Sequence, residues 1–492
     1  MSRIIIQNGN MCELDLPLKF AQKLYAEFAI RHPNAFYLRT RQRGMQNWDG
    51  KIHYINKHGE FKIGLLPAVY EKCIEYGIKP KVVDMRQPLP KVSKVVTKIG
   101  EYKLRPEQEK AVKAVINNKV GKVPFQIGVL DYTVNAGKTL IMSSLYLSYK
   151  KQLKTLLITN DSDWLNQARD EFKKYLPGEQ ITFVQGKVLN WSNFTIGMVQ
   201  SISRNMRFYQ KELAKVDMVL VDEADQAGSK QYQNVLTRLF NTRVRIGLSG
   251  TIYMSKLAKD KVKNMNLEVF FGKVLAEFKL KDSIKKGYST RTIVKMVPSK
   301  PWYGNWESEE VSYKEVYDDS ITFNKYARKM VYARLKWNIK QGRYPALVVC
   351  KFIAHCEKLC KYFKKKLGSK YNIACVHVDT PSKIRQQIMK DFREGKIDIL
   401  VSTTIIARGK NFPKLRYLLN AASMDSQEKS IQFLGRLVRT DSSKKKVYLD
   451  DLHYPGPYLN RHGKHRKQYY QKQELKVILL EKIWKNHPIH SL

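Results

Sequence analysis

Residues 127–139 combine the residue types and the order that phosphate binding requires. The apolar run Ile127–Leu130 predicts a strand, the small polar turn after it ends in Gly137, Lys138 and Thr139, and a run typical of a helix follows. At the start of such a helix the N–H groups point at an anion, and the helix dipole favours its charge. We expect Lys138 to reach phosphate oxygens and the Thr139 hydroxyl to bind Mg²⁺.

The match to the phosphate-loop pattern G-x-x-x-x-G-K-[ST] has one departure. The first glycine of the pattern would fall at position 132, where the chain has Tyr132. Taken alone, the element also fits a chance Gly-Lys-Thr sequence at a helix start. The remainder of the chain decides between the two interpretations.

Two adjacent acids follow a second apolar run. Residues 216–221 predict a buried strand, and Asp222 and Glu223 come directly after it. Two carboxylates at one strand end repel each other without a cation, so the pair indicates a metal. Asp222 can hold Mg²⁺ through its water shell, and Glu223 can orient or deprotonate an attacking water. The alternative, a polar helix cap, leaves the strand and the phosphate loop unexplained.

A third set of polar residues lies in the second half of the chain. Arg436 and Arg439 are three residues apart, near one face of a predicted helix that also carries Gln432. Guanidinium groups suit the negative charge that develops on a phosphoryl group in the transition state. We expect all three residues to act in catalysis from a second lobe. A basic surface helix is the alternative, and it does not account for Gln432 and Gly435 at their spacing.

The elements that must position these residues alternate between helix and strand. Apolar, β-branched runs of this kind form parallel sheets covered on both faces by helices. We therefore predict two α/β units with a cleft between them, at residues 99–275 and 276–455. The predicted strands are Thr155–Thr159, Thr195–Val199, Val216–Val221 and Val244–Leu248 in the first unit, and Ala346–Cys350, Ile373–Val378, Ile397–Val401, Tyr417–Asn420 and Lys446–Leu449 in the second.

Residues 1–95 predict a small separate α+β domain. Helices are expected over Leu18–Ile30 and from Pro67 to Gly77, where a proline opens and a glycine closes the element. Residues 85–100 carry prolines and lysines, which is typical of a linker. The strand-like runs of the domain are Ala35–Leu38, Lys51–Ile55 and Phe61–Ile63.

The last stretch, residues 456–492, predicts a basic tail. Its run Arg461–Lys467 is not expected to pack in a core, and either a flexible solvated tail or a clamp on phosphates fits it. A helix-like pattern follows over Glu474–Lys485.

The charge of the chain points to a polyanionic partner. Its 492 residues carry a formal net charge of +45. Such an excess is costly on a compact fold without a polyanion, so nucleic acid is the leading candidate and an anionic membrane surface the second. We expect part of the N-terminal domain to follow a phosphate backbone, whereas a solvated basic face with a core tryptophan is the alternative. The residues concerned are Arg41, Arg43, Trp48 and Lys51.

Composition also limits the setting. No run of 18 apolar residues predicts a membrane span, and the N-terminus becomes polar too early for a signal peptide. Six cysteines in 492 residues favour a reduced, cytoplasmic setting over a disulfide framework. A zinc site at His355, Cys356 and Cys360 is disfavoured, because the chain has no paired C-x-x-C and this spacing is equally typical of buried thiols.

Taken in order, these motifs resemble those of superfamily 2 helicases and translocases over about residues 100–450. The matching segments are Leu104–Gln108 (adenine-reading, Q-type), Thr133–Thr139 (motif I), Leu157–Gln167 (Ia), Met198–Ile202, Asp222–Asp225 (II), Ser249–Thr251 (III), Val348–Phe352 (IV), Ser402–Pro413 (V) and Gln432–Arg439 (VI). The resemblance implies two tandem RecA-like domains that bind ATP and Mg²⁺ between them, with arginines that complete the site when the lobes close.

The resemblance also implies roles for individual residues. Catalysis would use Lys138, Asp222, Glu223, Gln432, Arg436 and Arg439, with Thr139 and Asp222 on the metal. ATP would contact Tyr102, Arg105, Gln108, Thr133, Val134, Asn135, Ala136, Gly137, Lys138, Thr139, Gly409 and Asn411. Strand contacts would come from Asn160, Gln200, Ser201, Lys351, Thr403 and Thr404.

Two features of the resemblance favour DNA. DEAD-box RNA helicases have Ser-Ala-Thr in motif III and His at the start of motif VI, whereas this chain has Ser-Gly-Thr and Gln432. Residues 43–52 and 63–67 resemble the N-terminal domain of phage UvsW-type helicases, which remodel branched DNA by branch migration, fork regression and R-loop removal. The resemblance thus implies forked, branched or duplex DNA as partner, and the host cytoplasm if the protein is viral.

Two other functions stay open. One is a duplex translocase that does not separate strands. The other is a nucleic-acid-binding protein with an impaired ATPase core, which the departures from the family pattern at Tyr132, Asn135 and Asn411 motivate.

Overall fold

The computed structural model of this chain describes residues 2–41, 45–160, 162–188, 190–252, 261–299, 311–407, 412–441 and 444–480. The chain divides into two compact units, Met1–Phe278 and Lys279–Leu492. Each unit holds one seven-stranded sheet in which all strand pairs are parallel. The predicted fold class, two tandem RecA-like parallel sheets with a small α+β region before them, is confirmed.

The N-terminal region of the first unit is the small α+β part. Its elements are β1 (Arg3–Ile6), β2 (Met11–Asp15), α1 (Leu18–Glu27), β3 (Ala29–Arg31), α2 (Ala35–Arg41), β4 (Lys51–His53), β5 (Glu60–Lys62), α3 (Leu66–Glu75) and β6 (Lys81–Asp84). Four strands form a sheet in the order β5-β2-β1-β6, and β3 pairs with β4.

The structure contradicts the strand predicted at Ala35–Leu38. These residues lie in helix α2, of which only Ala35 is buried. The prediction was wrong because a four-residue apolar run fits a strand and a helix equally well, and here the rings face solvent. Strands β1 and β2, whose buried side chains alternate, were not predicted.

The remainder of the first unit surrounds its large sheet. Its elements are β7 (Lys98–Ile99), β8 (Tyr102–Lys103), α4 (Pro106–Ile116), β9 (Lys119–Val120), β10 (Val123–Pro124), β11 (Ile127–Tyr132), α5 (Lys138–Ser148), β12 (Thr155–Thr159), α6 (Ser162–Tyr175), β13 (Ile181–Val184), β14 (Phe194–Met198), α7 (Val199–Arg204), α8 (Met206–Ala214), β15 (Met218–Asp222), α9 (Lys230–Leu236), β16 (Val244–Ser249), α10 (Lys261–Phe271) and β17 (Val274–Phe278). The strand order is β13-β14-β12-β15-β16-β11-β17.

The N-terminal region packs directly against this sheet and its helices. Buried residues of both parts form one continuous apolar cluster. The guanidinium of Arg245, fully buried on β16, donates to the Gly9 carbonyl (2.8 Å) and to Asn10 Oδ1 (2.6 Å), and burial lowers its pKa to about 9. A Cβ at Gly9 would lie 2.6 Å from the Leu239 carbonyl oxygen, so only glycine permits this approach.

The second unit repeats the architecture. Its elements are α11 (Leu280–Lys285), β18 (Arg291–Pro298), α12 (Tyr313–Tyr317), α13 (Lys325–Lys340), β19 (Ala346–Cys350), α14 (Ile353–Leu367), β20 (Ile373–Val376), α15 (Ser382–Glu394), β21 (Ile399–Thr403), β22 (Tyr417–Asn420), α16 (Gln427–Leu437), β23 (Lys446–His453), α17 (Leu459–Lys472) and β24 (Lys476–Leu479). The strand order is β20-β21-β19-β22-β23-β18-β24, the same topology as in the first unit.

The basic segment near the C-terminus contradicts its prediction. The run Arg461–Lys467 lies in α17, and Arg466 is fully buried. Its guanidinium donates to both carboxylate oxygens of Asp451 and to the carbonyls of Met424 and Leu452. The prediction was wrong because charge alone does not show a buried partner 15 residues away. Beyond α17 the chain forms strand β24 instead of the predicted helix, of which residues 481–485 lie outside the described part.

The disfavoured zinc site is not assembled. His355 Nδ1 lies 2.9 Å from the Tyr317 hydroxyl, and burial lowers its pKa to about 3. Cys356 instead contacts Cys375, with 3.4 Å between the two sulfurs. Within the described residues no group of three His, Cys, Asp or Glu side chains could hold a metal ion. Nor does that part of the chain contain a helix long and apolar enough to cross a membrane.

Candidate nucleotide site

The phosphate loop lies at the carboxyl end of β11. Strand β11 ends at Tyr132 and α5 begins at Lys138, so residues 133–137 form the loop between them. Asn135 (φ 64°) and Gly137 (φ 72°) adopt the left-handed conformation. The positive φ at Gly137 favours glycine there, and the Gln108 side-chain amide lies in the space that a Cβ would occupy.

Lys138 lies close to two acids, Asp222 at the end of β15 and Glu223 directly after it. Its Nζ is 3.1 Å from Asp222 Oδ1 and 4.0 Å from Glu223 Oε1. Burial lowers the pKa of Lys138, but the charges of Asp222 and Glu223 outweigh burial and hold the pKa above its ordinary value. The three charges are therefore assembled, as predicted from the residue types, beside the loop at one edge of the sheet.

The two acids differ in exposure. The Asp222 side chain is 4% exposed and that of Glu223 is 34% exposed. Glu223 has a φ of 52°, a left-handed conformation that is costly for a residue with a side chain. This turn leaves Glu223 accessible to water while Asp222 stays at the strand end.

A hydroxyl pair connects the acids to the neighbouring strand. Ser249 Oγ donates to Asp225 Oδ1 (2.7 Å) and lies 2.9 Å from Thr251 Oγ1. A Cβ at Gly250 would lie 3.0 Å from the Thr133 Cα, so β16 ends directly against the phosphate loop. Ser249 therefore links Asp225 to the strand end that lies against the phosphate loop.

The segment before α4 holds the loop from the other side. Gln108 Nε2 donates to the Ala136 carbonyl and Gln108 Oε1 accepts from the Arg105 N–H, both at 2.8 Å. Arg105 Nη1 donates to the Asn135 carbonyl (3.3 Å). Gln108 and Arg105 thus position the loop backbone, and their contact with an adenine stays a prediction, as does that of Tyr102, whose ring packs on Tyr175.

Tyr132, which replaces the first glycine of the loop pattern, is accommodated in the core. It is fully buried, and its hydroxyl donates to the Glu107 carbonyl (2.6 Å). The departure therefore ties β11 to α4 and leaves the turn at residues 133–137 intact.

The strand-contact residues predicted in the first unit lie together. The Asn160 amide donates to Gln226 Oε1, and Gln200 Nε2 donates to the Asn160 carbonyl (3.2 Å). Ser201 is next to Gln200 in α7. Gln226 was not predicted, although its position in the turn after the acids was a usable signal.

The N-terminal residues predicted to bind nucleic acid are only partly in one place. Arg41 is exposed at the end of α2, with its guanidinium 5.0 Å from the centre of the Tyr37 ring. The Trp48 indole N–H donates to the Lys51 carbonyl (2.9 Å), so this ring braces a turn. Arg43 lies outside the described residues.

In the second unit, Gln432 and Arg436 lie on α16 and Arg439 follows its end. Thr290 fixes that end, because its N–H donates to the Val438 carbonyl (2.8 Å) and its hydroxyl to the Arg439 carbonyl (3.1 Å). Gly409 and Asn411 lie outside the described residues, so their predicted nucleotide contacts have no structural account.

Two of the strand-contact residues predicted in the second unit, Thr404 and Lys351, interact with Lys429, which was not predicted. Lys429 Nζ donates to Thr404 Oγ1 (3.4 Å). Burial and the charge of Lys429 lower the pKa of Lys351, whose Nζ is 3.8 Å from the centre of the Tyr313 ring. Thr403, the last residue of β21, is buried. The charge of Lys429 therefore reaches Lys351.

Comparisons with known proteins agree with this geometry. Residues 101–254 match the family model described as Type III restriction enzyme, res subunit, and residues 328–441 match the Helicase conserved C-terminal domain. A viral protein with the provisional name helicase 22, from Sulfolobus islandicus filamentous virus, is 22% identical over 382 residues. The alignment covers 72% of this chain and 65% of that protein, just under two thirds of its length.

Two solved structures extend the comparison. The ATP-dependent Type ISP restriction-modification enzyme LlaBIII bound to DNA aligns with a TM-score of 0.56 and 12% identity, over 86% of this chain and 35% of that one. The crystal structure of T4 UvsW aligns over 97% of this chain and 98% of that one, with a TM-score of 0.44 and 19% identity.

The fold and the site place the chain in the class of proteins that have two tandem RecA-like domains. In this class the N-terminal one of the two domains carries a phosphate loop. Within that class, each of the two family models matches one of the two sheets, in the expected order. The chain belongs to the superfamily 2 helicases.

Proposed function

We propose that this protein is an ATP-dependent DNA helicase that unwinds or remodels branched DNA by branch migration, fork regression or R-loop removal. The observation that carries the proposal is the assembly of Lys138, Asp222 and Glu223 beside the phosphate loop, at 3.1 and 4.0 Å. Branched DNA as the substrate rests on the resemblance of residues 43–52 and 63–67 to UvsW-type helicases.

The residues of the loop fit a nucleoside triphosphate with Mg²⁺. The Thr139 hydroxyl and the Asp222 carboxylate are oxygen donors of the kind this cation prefers, and the cation would neutralise phosphate charge. Lys138, now paired with the acids, would move its ammonium to the phosphate oxygens. Glu223, the more exposed acid, would take the proton of the attacking water.

We further propose that Gln432, Arg436 and Arg439 act on the same nucleotide when the two units close. The guanidiniums of Arg436 and Arg439 would stabilise charge on the transferred phosphoryl group. The proposed domains are residues 1–95 for DNA binding, 99–275 and 276–455 for the motor, and 456–492 at the C-terminus.

DNA as the partner is supported by three observations. The net charge is +45. Asn160 and Gln200 in the first unit, and Lys351 and Thr404 in the second, lie in two polar clusters. The structural neighbour LlaBIII is bound to DNA. Contacts of this kind follow the backbone and would be salt-sensitive and largely indifferent to sequence.

Phosphate release by the full chain, measured with and without DNA, tests the motor. We expect DNA to stimulate hydrolysis and Lys138→Ala to abolish it. Strand displacement on forks, four-way junctions and R-loops then tests the substrate, with RNA duplexes as a parallel arm. Hydrolysis without stimulation by any nucleic acid would overturn the proposal. Displacement of a triplex strand without unwinding would favour the duplex translocase.

A further inference from the structure

Helix α2 exposes an unusual pair of rings. Phe36 is 80% exposed and Tyr37 is 55% exposed, and Ala35 is the one buried residue of the helix. The Thr40 hydroxyl donates to the carbonyls of Phe36 (3.0 Å) and Tyr37 (3.1 Å). A short helix that leaves its largest apolar side chains in water is typical of a surface that meets a partner.

The exposed ring of Phe36 lines a groove of about 530 Å³. Phe36 and Arg39, three apart on one helix face, form one wall, and Arg31 of β3 with Lys51 of β4 form the other. The turn at Gly50 (φ 79°) approaches closely, because a Cβ there would lie 3.2 Å from that of Ala35. The volume falls in the range of about 300–1,000 Å³ that is typical of small-molecule sites.

The charges in the groove are unevenly satisfied. Asp49, its one acid, accepts from the Lys51 N–H (2.9 Å) and lies 2.6 Å from His53 Nε2. Among the described residues, no ion pair engages the side chains of Arg31, Arg39 or Lys51. The groove therefore offers one aromatic face surrounded by three cations.

We propose that this groove binds one unpaired nucleotide of a nucleic acid strand, with its base stacked on Phe36 and its phosphates against Arg31, Arg39 and Lys51. An aromatic platform beside cations is the chemistry that recognises a base and its phosphate. A base in a duplex cannot present its face to the ring, so the groove selects strand ends, gaps and junctions. The inference rests on the proposed function and adds where the N-terminal region contacts DNA and which residue contacts the base.

The test uses the full chain and an oligonucleotide with 2-aminopurine at a single-stranded junction. We expect quenching of its fluorescence on binding. Phe36→Ala should remove most of that quenching and weaken junction binding about tenfold, on the scale of one stacked base. Phe36→Tyr should restore both. Leu18→Ala, at a residue of α1 that is 73% exposed, is the matched control and should change neither.

Failure of the groove and failure of the proposed function are distinguishable. If Phe36→Ala quenches and binds like wild type, the groove does not hold a base, whatever the ATPase does. If the wild-type chain shows no hydrolysis stimulated by nucleic acid while Phe36→Ala loses quenching, the groove stands and the motor proposal falls. Polyglutamate could displace the oligonucleotide as well as unlabelled oligonucleotide does, and its binding could be lost in Phe36→Ala. That result would assign the groove to an acidic peptide and overturn the inference.

Discussion

The two seven-stranded sheets have the same strand order but use their acids differently. In the first sheet, Asp222 ends β15 and Glu223 follows it, and one lysine lies within 4.0 Å of both. In the second sheet, Asp450 and Asp451 are buried in the interior of β23. A pair of adjacent acids thus meets a lysine at a strand end in the first sheet and is bonded within a strand in the second.

The anchors of the second sheet are heavily bonded. Asp450 Oδ2 accepts from Arg334 at 2.6 Å and from the Tyr417 hydroxyl at 3.0 Å. Asp451 accepts from Arg466, and from Tyr470 at 2.7 Å. Buried carboxylates need such partners because an unpaired charge in the interior is strongly destabilising. The first sheet instead leaves a third of the Glu223 side chain exposed.

The largest expected effect is that of Arg439→Ala on ATP hydrolysis, which tests whether the second unit contributes to catalysis. We expect Arg439→Ala to slow ATP hydrolysis by about 10³-fold or more, as loss of a guanidinium at a phosphoryl group does, with little change in ATP affinity. Phosphate release and nucleotide titration measure the two quantities. Arg393→Ala, an exposed arginine of α15, is the control, and unchanged hydrolysis in Arg439→Ala would leave the second unit without a catalytic role.

Glu223→Gln tests the chemical role of the first acid pair. Because an amide cannot take a proton from water, hydrolysis should fall about 10²–10⁴-fold while ATP and DNA binding persist. Single-turnover phosphate release is the measurement, with Glu75→Gln on the exposed face of α3 as control. Wild-type turnover in Glu223→Gln would remove the role assigned to this residue.

Arg466→Leu tests the structural role of the second acid pair. Removing one partner leaves Asp451 buried with less compensation, which should lower the free energy of unfolding of the second unit by about 3–5 kcal/mol. Urea unfolding monitored by fluorescence measures the change. Arg461→Leu, at an exposed position of the same helix, should cost far less, and equal costs would mean that the buried pair is no anchor.

The smallest effect concerns the departure at the phosphate loop. Tyr132→Phe removes the hydrogen bond to the Glu107 carbonyl and should lower stability by about 0.5–1.5 kcal/mol. Hydrolysis should stay within twofold of wild type, since the turn at residues 133–137 does not use that hydroxyl. A large loss of turnover with unchanged stability would instead give Tyr132 a part in nucleotide binding.

Features that depend on a local sequence pattern, such as strands and the residues at their ends, were predictable from the sequence. A strand followed by a small polar turn and a strand followed by two acids identified Lys138, Asp222 and Glu223 as candidate site residues, and the structure brings their charges within 4.0 Å. Runs of β-branched residues likewise predicted the two buried sheets. Both inferences need only neighbours in the chain.

Contacts between residues far apart in the chain could not be predicted from the sequence. Arg466 belonged to a run that looked solvated, and only the fold brings it to Asp451. Phe36 lay in a run that resembled a strand, whereas the structure places it exposed on helix α2. The position of Gln108 against the Ala136 carbonyl is likewise a product of tertiary packing.

The shared apolar cluster of the N-terminal region and the first sheet has a practical consequence. A protein shortened to begin near residue 96 would expose the apolar surface of the first sheet that the N-terminal region now covers, where Arg245 contacts Gly9. We expect such a protein to aggregate. The groove on α2 and the loop at Lys138 thus belong to one compact unit, in which the N-terminal region and the large sheet share a single apolar core.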